Sequence, residues 1–412
     1  MKVATHTVQH GATAEDQPAA AAAHDDSLGW CGCAHAEVRA SLLDAELAAA
    51  ASRLALDTVA AHVRKHSELR ETVTSGGASD SDREKVMDVL RTAVNIASRE
   101  INALSARRGA AVTVTLDSVW AVGGEAFIAH VGDGRTYLLR KGLSHKLTQD
   151  HVQGDELHES LPGQAPRVKP RVEPSRTLGP NTSVEPETMN LQLVDGDRVL
   201  LSSPYLHRGL DDLKIREVAN DPVADGVTAQ LLGAARDNGV DADLACALME
   251  IGEVDNAGVA TAARGRLATL ARIPLFAYCT ERELLAIAGV TRPVRYRAGT
   301  WVFRQGDPGC GLYLVVQGLV AAEKDDSEIA RFGPGANFGE MSMLDQPERS
   351  AAGRVIEDSE LLLITREAFF SLLKRDPTLA VKVLWNMLLR LSASLRATSE
   401  RLTRPPPEPP VP

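Results

Sequence analysis

Aromatic residues make up only 4% of these 412 residues, and positive charge is in deficit, the formal net charge being −10. A chain of that balance is no general binder of nucleic acid or of anionic membrane surfaces. With so few aromatics it offers no platform on which single-stranded bases would stack. Cysteine is scarce too: five thiols, an odd number and scattered, do not make a disulfide framework and suit a reducing cytoplasm. No apolar run approaches membrane-spanning length, and the opening MKVATHTVQHGATAED has no apolar segment of the secretory kind. The expectation is a soluble cytoplasmic protein with neither a membrane nor a nucleic-acid partner. Its length exceeds what one hydrophobic core serves, so two domains are expected and three are allowed.

The first fifty residues carry little periodicity. Ala19 to Ala23 is an alanine run, and Trp30-Cys31-Gly32-Cys33-Ala34-His35 sets two thiols and an imidazole close together. That spacing is not a usual zinc pattern, so these side chains are expected in a loop rather than around a soft metal. From Ala45 the pattern turns helical, with Leu47, Leu54, Val59 and Val63 near helical spacing and charge on the other face. Ser75-Gly76-Gly77 breaks it, and Asp80-Ser81-Asp82 offers an N-cap to a helix from Arg83 to Arg107. Strands follow: Val112 to Val122, a hairpin turn at Gly123-Gly124, Phe127 to Val131, an interruption at Gly132-Asp133-Gly134, and Thr136 to Arg140 ending in Lys141-Gly142. Asp150 to Pro180 is a polar excursion. Asn190 to Val194 and Arg198 to Ser202, joined by Asp195-Gly196-Asp197, read as another hairpin. Helix is expected over about Leu210 to Ala235, and Leu244 to Ile251 is an apolar closing strand. Helices alternating with hairpins indicate an α+β domain with antiparallel sheets under helices.

SRLALDTVAAHV, AFIAHVGDGRTYLLRKGLSHKLTQDH, SRTLGP and LVDGDRVLLSSPYL occur in that order. They resemble the protein phosphatase 2C (PPM) family of metal-dependent serine/threonine phosphatases over nearly all of residues 1–252, HVGDGRTYLLRKG being the most specific part. The resemblance implies an α-β-β-α sandwich and, in an active member, two divalent metals held by aspartates around a water that attacks phosphate. The residues that would do this depart from the family pattern. An acidic motif survives as Glu15-Asp16, and Asp133 matches the Val-Gly-Asp motif. The Asp-Gly-x-Gly-Gly motif is replaced by Gly29-Trp30-Cys31-Gly32-Cys33, and the Ser-Asp-Gly motif by Ser203-Pro204-Tyr205. The late Asp-Asn pair falls on Ala242-Asp243, since Arg236-Asp237-Asn238 lies too early, at a helix end. Proline and alanine offer no side-chain oxygen to Mg²⁺ or Mn²⁺. The expectation is a degenerate domain with no catalytic residues, in which Asp16, Asp133 and Asp243 are vestigial metal candidates. Its alternative is an active phosphatase that recruits Mg²⁺ or Mn²⁺ through Asp16, Asp133, Asp237 or Asp243.

Residues 253–270 are small, polar and alanine-rich and read as a linker or connecting helix. Thr280 is placed to cap a helix with Glu283 as its capping-box partner. Turn signals at Ala298-Gly299, Gly306-Asp307-Pro308-Gly309, Gln317-Gly318 and Gly333-Pro334-Gly335 separate short strands, which indicates a jelly-roll-like β-barrel. Within it, NFGEMSMLDQPERSAA, Asn337 to Ala352, sets a carboxylate, Glu340, and a guanidinium, Arg349, on a segment opened by Gly335 and Gly339. Backbone N–H groups at a helix start face anions, Arg349 gives planar charge-assisted bonds to phosphate oxygens, and Glu340 only accepts, which suits a sugar hydroxyl. That chemistry is a pocket for a phosphorylated ribose.

Pro274-Leu275-Phe276, Ala298-Gly299, Gln305-Gly306-Asp307, Leu312-Tyr313-Leu314-Val315, Gly318 and the Phe338-Gly339-Glu340 to Arg349-Ser350-Ala351 cassette stand in order. They resemble the cyclic nucleotide-binding domain of the catabolite activator protein and of protein kinase A regulatory subunits, over residues 271–403. The resemblance implies Glu340 on the ribose hydroxyl, Arg349 on the cyclic phosphate, Ser350 as a further phosphate contact beside Ala351, and backbone groups from Gly339 and Met341. From about Thr378 to Arg401, Val381, Leu384, Leu388, Leu391, Leu395, Thr398 and Leu402 recur at heptad spacing. One helix packed on its own barrel also needs an apolar face. The likeness to the dimer helix of the catabolite activator protein favours a parallel homodimer and sets Thr398-Ser399 at an adenine, hence cAMP over cGMP. Residues 404–412 form a proline-rich tail, and no helix-turn-helix follows the barrel, so a transcription factor of the usual kind is not expected. The reading is a multidomain α+β receptor for cAMP whose inactive phosphatase-like domain serves as an interaction module, with a phosphoprotein as candidate partner. A cAMP-regulated metal-dependent serine/threonine phosphatase, and a structural or cargo protein reusing both folds, are its alternatives.

Overall fold

In the computed structural model the chain separates into two units, Met1–Ala263 and Arg264–Pro412. The structure describes residues 2–10, 19–39, 44–72, 80–152, 173–220, 226–252, 267–309, 311–325, 327–344 and 348–403. Asp16, the Ser75-Gly76-Gly77 break, the middle of the Asp150 to Pro180 excursion and the proline tail fall outside them.

The first unit contains β1 (Val3–His10), β2 (Ala20–Asp25), β3 (Trp30–Arg39), α1 (Asp44–Lys65), α2 (Leu69–Thr72), α3 (Asp80–Arg108), β4 (Ala111–Val122), β5 (Glu125–Val131), β6 (Arg135–Arg140), β7 (Leu143–Lys146), β8 (Glu187–Gln192), β9 (Arg198–Ser202), α4 (Pro204–Gly209), α5 (Asp212–Ala219), α6 (Val227–Asp237) and β10 (Leu244–Ile251). Two antiparallel sheets result, ordered β1-β10-β9-β6-β7 and β2-β3-β4-β5-β8. Because strand side chains alternate between faces, each sheet has one face for helices and one for the other sheet. Val59, Val63, Leu90 and Val94 of α1 and α3 pack on Leu116 and Phe127 of the second sheet. Leu206, Ile215 and Leu231 of α4 to α6 pack on Leu200 and Leu248 of the first. Between the sheets Cys33 Sγ reaches Ala245 O at 3.5 Å. The layers are those of the expected α-β-β-α sandwich.

Several local expectations change. Trp30 to His35 is not a loop but part of β3, with Cys31 and Cys33 buried. The stretch Asn190 to Ser202 is not a hairpin: β8 pairs with β5, whereas β9 pairs with β6 and β10, so Asp195-Gly196-Asp197 carries the chain from one sheet to the other. Arg140 fastens that crossing, donating to Asp197 at 2.8 and 2.7 Å and to Gln192 O at 2.8 Å. The strands β1, β2 and β7 had no clear sequence signal. Asp80 to Asp82 form the first turn of α3 rather than its cap.

The second unit contains a 3₁₀ turn (Pro274–Phe276), α7 (Glu281–Gly289), β11 (Arg292–Tyr296), β12 (Trp301–Phe303), β13 (Gly311–Lys324), β14 (Ser327–Phe332), β15 (Asn337–Phe338), α8 (Met341–Leu344), β16 (Ala352–Thr365), α9 (Arg366–Arg375) and α10 (Pro377–Thr403). The strand order is β11-β16-β13-β14, with β12 on β16 and β15 on β13. The capping box forms, Thr280 Oγ1 accepting from Glu283 N at 3.3 Å and Glu283 Oε2 from Thr280 N at 2.6 Å. Alternation along β13 decides what faces where: Leu312 and Leu314 join Leu284, Phe369, Val383 and Met387 under the helices, whereas Tyr313 and Val315 point with Phe338 into the roll. Helix α10 is apolar on two sides. Leu379, Val383 and Met387 are buried, while Val381, Trp385 and Leu388 are 68%, 59% and 61% exposed. Among the described residues no helix is long and apolar enough to cross a membrane.

Candidate functional site

Strand β15 delivers the chain into Gly339 and Glu340 beside β13, where Phe338 pairs with Tyr313. At Gly339 φ is +83°, and a Cβ there would meet Arg349 Nη1 at 2.5 Å. Only glycine permits both that backbone and that approach. Arg349, 3% exposed, donates through Nη1 to Gly339 O at 3.2 Å and through Nη2 to Gly311 O at 2.8 Å. Its Cζ stands 4.0 Å from the Phe303 ring centre. The Gln305-Gly306-Asp307 triplet explains itself here: Gly306 N donates to Arg349 O at 2.9 Å, and Arg349 N donates to Asp307 O at 2.8 Å. The turn is held in turn by the Asp307 carboxylate, which accepts from Arg304 N at 2.6 Å.

Gly339, Glu340, Met341, Arg349, Ser350 and Ala351 all line one cavity of about 280 Å³, whose remaining wall is mainly apolar, from Val320, Ala322 and Phe332 among others. A fixed cation, a carboxylate and an apolar wall are what a phosphate, a sugar hydroxyl and a base each require. Helix α8 is a single turn, so it offers an anion backbone N–H groups rather than a developed helix dipole. Thr398 and Ser399 belong to α10, but their side chains fall outside the described residues.

In the first unit, Asp133 occupies the crossing from β5 to β6, flanked by glycines because the space is filled. A Cβ on Gly132 would run into Thr115, and one on Gly134 into the Asp117 carboxylate. Asp133 is fully buried, and Arg208 of α4, also buried, places Nη2 3.5 Å from its Oδ2. Burial pushes the Asp133 carboxyl up to about 7 even with that guanidinium opposing the shift. Asp243 Oδ2 accepts from Ala19 N at 2.6 Å. Next along β2, Ala20 pairs with His35, whose ring stands edge-on to Tyr205 with centroids 5.4 Å apart. Asp243, His35 and Ser203-Pro204-Tyr205 therefore share a neighbourhood. Gly29 and Trp30 lie instead at the β2–β3 hairpin.

A second cluster, His130, His151 and Glu187, has metal-like spacing. Its hydrogen bonds argue otherwise. His130 is 2.9 Å from Asp117 Oδ1 through Nδ1 and 3.0 Å from Gln149 O through Nε2. Both partners accept, so both ring nitrogens carry hydrogen. Burial alone would lower this imidazole, but the Asp117 carboxylate raises it to about 9. His151 Nδ1 accepts from Gly132 N at 3.0 Å, and its Nε2 lies 3.4 Å from Arg176 Nη1. As placed, the cluster is a charged hydrogen-bonded knot rather than a cation site.

Residues 31–201 match the protein phosphatase 2C family model, and residues 293–376 match the cyclic nucleotide-binding domain model. The chain joins a protein phosphatase 2C region to a cyclic nucleotide-binding domain. It is 41% identical over 113 residues to the cyclic AMP receptor protein of Thermus thermophilus, covering 26% of this chain and 52% of that one. It is 23% identical over 124 residues to the cGMP-dependent protein kinase egl-4 of Caenorhabditis elegans, covering 30% and 16%. The chain thus spans about half, or less, of the length of these curated relatives. Among solved structures, the Mycobacterium tuberculosis serine/threonine phosphatase PstP/Ppp is similar at 18% identity and a TM-score of 0.49, over 61% of this chain and 100% of that one. The Thermus thermophilus catabolite activator protein is similar at 36% identity and a TM-score of 0.29, over 31% and 61%.

A phosphatase 2C region implies divalent metals, and the described residues do not fit them. Pro204 opens α4 at the position of the Ser-Asp-Gly motif and offers no side-chain oxygen, Asp133 already faces a guanidinium, and Asp243 holds a backbone N–H. A hard dication needs several carboxylates free to surround it. Asp237 ends α6, as its place before the helix-stopping Gly239 predicts. Arg208 and His35 are the residues that sequence reasoning left without a role. An arginine in PYLHRG and a histidine in an alanine-rich strand carry no local signal of what they face.

Proposed function

We propose that this protein is a receptor for a cyclic nucleotide, cAMP, whose phosphatase 2C unit binds a phosphoprotein without hydrolysing it. The first half rests on Arg349, a buried guanidinium fixed at the wall of a cavity that also holds Glu340. The relative named for cAMP supports that nucleotide, and the one named for cGMP makes cGMP the necessary comparison. The second half rests on the Arg208 guanidinium beside Asp133, where a phosphatase would need a metal. The outer apolar face of α10, with Val381, Leu384 and Leu388 exposed, supports a homodimer through this helix.

Calorimetry of the full chain with cAMP and cGMP tests the reading. Wild type binds cAMP saturably and more tightly than cGMP, and Arg349→Ala weakens cAMP by about a hundredfold or more, the loss of two charge-assisted bonds. No binding by wild type, or equal binding by the variant, ends it. Turnover of an aryl phosphate or phosphopeptide with Mn²⁺, lost in Asp133→Ala, would replace the second half with a cAMP-regulated phosphatase.

A further inference from the structure

The chain has 7 phenylalanines and 5 tyrosines, and Phe303, Tyr313, Phe332 and Phe338 stand together, with Phe303 and Tyr313 facing Arg349. Phe338 stacks on Tyr313 at 5.4 Å and 10°, and on Phe332 at 5.2 Å. Phe303 completes the group at 5.6 Å from Tyr313 and 5.9 Å from Phe338. Arg349 Cζ lies 4.0 Å over the Phe303 ring and 5.6 Å from that of Tyr313. In a chain so poor in aromatics, this grouping asks for a reason beyond filling the roll.

Phe303 has an unusual seat. It pairs across β12 and β16 with Gly353, and a Cβ on that glycine would sit 3.4 Å from the ring edge. The ring thus lies over a strand position without a side chain and under the guanidinium, and it lines the cavity as well. The guanidinium plane is accordingly determined twice. Two of its edges are taken by Gly339 O and Gly311 O, and one face by the electron-rich face of Phe303, an attraction that strengthens when water is excluded. Apolar packing alone would not do this, because a cation over an aliphatic side chain loses hydration and gains no charge in return.

We infer that Phe303 is the positioning residue of the phosphate-binding arginine: its ring holds the Arg349 guanidinium in the ligand-ready plane before nucleotide enters. This rests on the nucleotide reading of the pocket. Arg349 then reaches a phosphate without first losing rotamer freedom, and affinity gains by preorganisation. Lysine has neither the planar fork nor the flat cationic face.

The test uses the full chain with 4-fluoro-, 3,5-difluoro- and 3,4,5-trifluorophenylalanine at position 303, which drain negative charge from the ring face while scarcely changing its shape. The cAMP Kd is expected to rise stepwise with fluorination, to about tenfold for the trifluoro variant, and Phe303→Tyr to stay within about threefold of wild type. In the unliganded protein, the Arg349 side-chain proton resonances should be shifted upfield by the ring current and should relax in Phe303→Leu. A flat fluorination series in a protein that binds cAMP, or Arg349 resonances at ordinary positions, overturns the inference alone. A wild type that binds neither cAMP nor cGMP overturns the pocket reading, and this inference falls with it.

Discussion

Replacing Gly339 by alanine should injure both the stability of the second unit and its nucleotide affinity, and the two losses have separable origins. The backbone at φ +83° costs an L side chain roughly 1–2 kcal/mol. The new methyl would also sit 2.5 Å from Arg349 Nη1, so the guanidinium must leave its bond to Gly339 O, a further 1.5–3 kcal/mol or so for a charged donor. In the wild-type background the total is about 2–4 kcal/mol, since the side chain relaxes in part. In an Arg349→Ala background only the backbone cost of about 1–2 kcal/mol remains. Urea denaturation followed through the indoles of Trp301 and Trp385 measures both arms. Calorimetry adds the ligand arm, in which Gly339→Ala should weaken cAMP by about a hundredfold because the phosphate partner is displaced. Equal costs in the two backgrounds, or an unchanged cAMP Kd, would show that the glycine and the arginine are not coupled and would refute the reasoning.

The His130–Asp117 pair predicts a pH dependence of the first unit. A histidine raised from 6.5 to about 9 on folding contributes stability that is complete below about pH 6.5 and lost as pH rises through 9, about 3 kcal/mol in all. Denaturation followed through the buried indoles Trp30 and Trp120 should show that decline, and His130→Gln should flatten it. Above about pH 8, where the Asp133 carboxyl is ionised, Arg208→Met strands it in the interior and should cost up to about 3 kcal/mol. Adding Asp133→Asn should recover more than half of it, while Mn²⁺ leaves the melting temperature of either variant unchanged; a Mn²⁺-induced rise would contradict the account of this centre. Leu388→Asp, on the outer face of α10, should convert a dimer into a monomer by light scattering. A wild type that is monomeric at every concentration sinks that proposal.

What was legible in the sequence was local. The capping box of α7 needs only Thr280 and Glu283, β10 announces itself by the unbroken apolar run from Leu244 to Met249, and the cassette carries its glycine, carboxylate and arginine within one short stretch. Elements whose definition depends on distant partners were not legible. Asp195-Gly196-Asp197 has the chemistry of a hairpin turn whether the next strand returns to the same sheet or crosses to the other, and only the pairing of β9 with β6 and β10 decides. β2 and β3 are built mainly from alanine, cysteine and histidine, with Trp30 and Val38 their only strand-favouring residues, and they are strands because sheet and helices bury them. The arginine beside Asp133 carries no sequence signal for the same reason: its role exists only once α4 is folded against the β5–β6 crossing.

The crossings at Gly132-Asp133-Gly134 and Asp195-Gly196-Asp197 have a kinetic consequence. The chain changes sheet after β1, β5, β7 and β8, so no contiguous stretch of the first unit contains one whole sheet without strands of the other. The second sheet waits for β8 to reach β5, and the first is not complete until β10 pairs with β1 and β9 and closes the layer begun at the first strand. Neither layer is a foldon on its own, and folding must wait on contacts of long sequence separation. The slowest-exchanging amides of both sheets should therefore open with one common free energy, and a break anywhere within the unit should unravel both layers together.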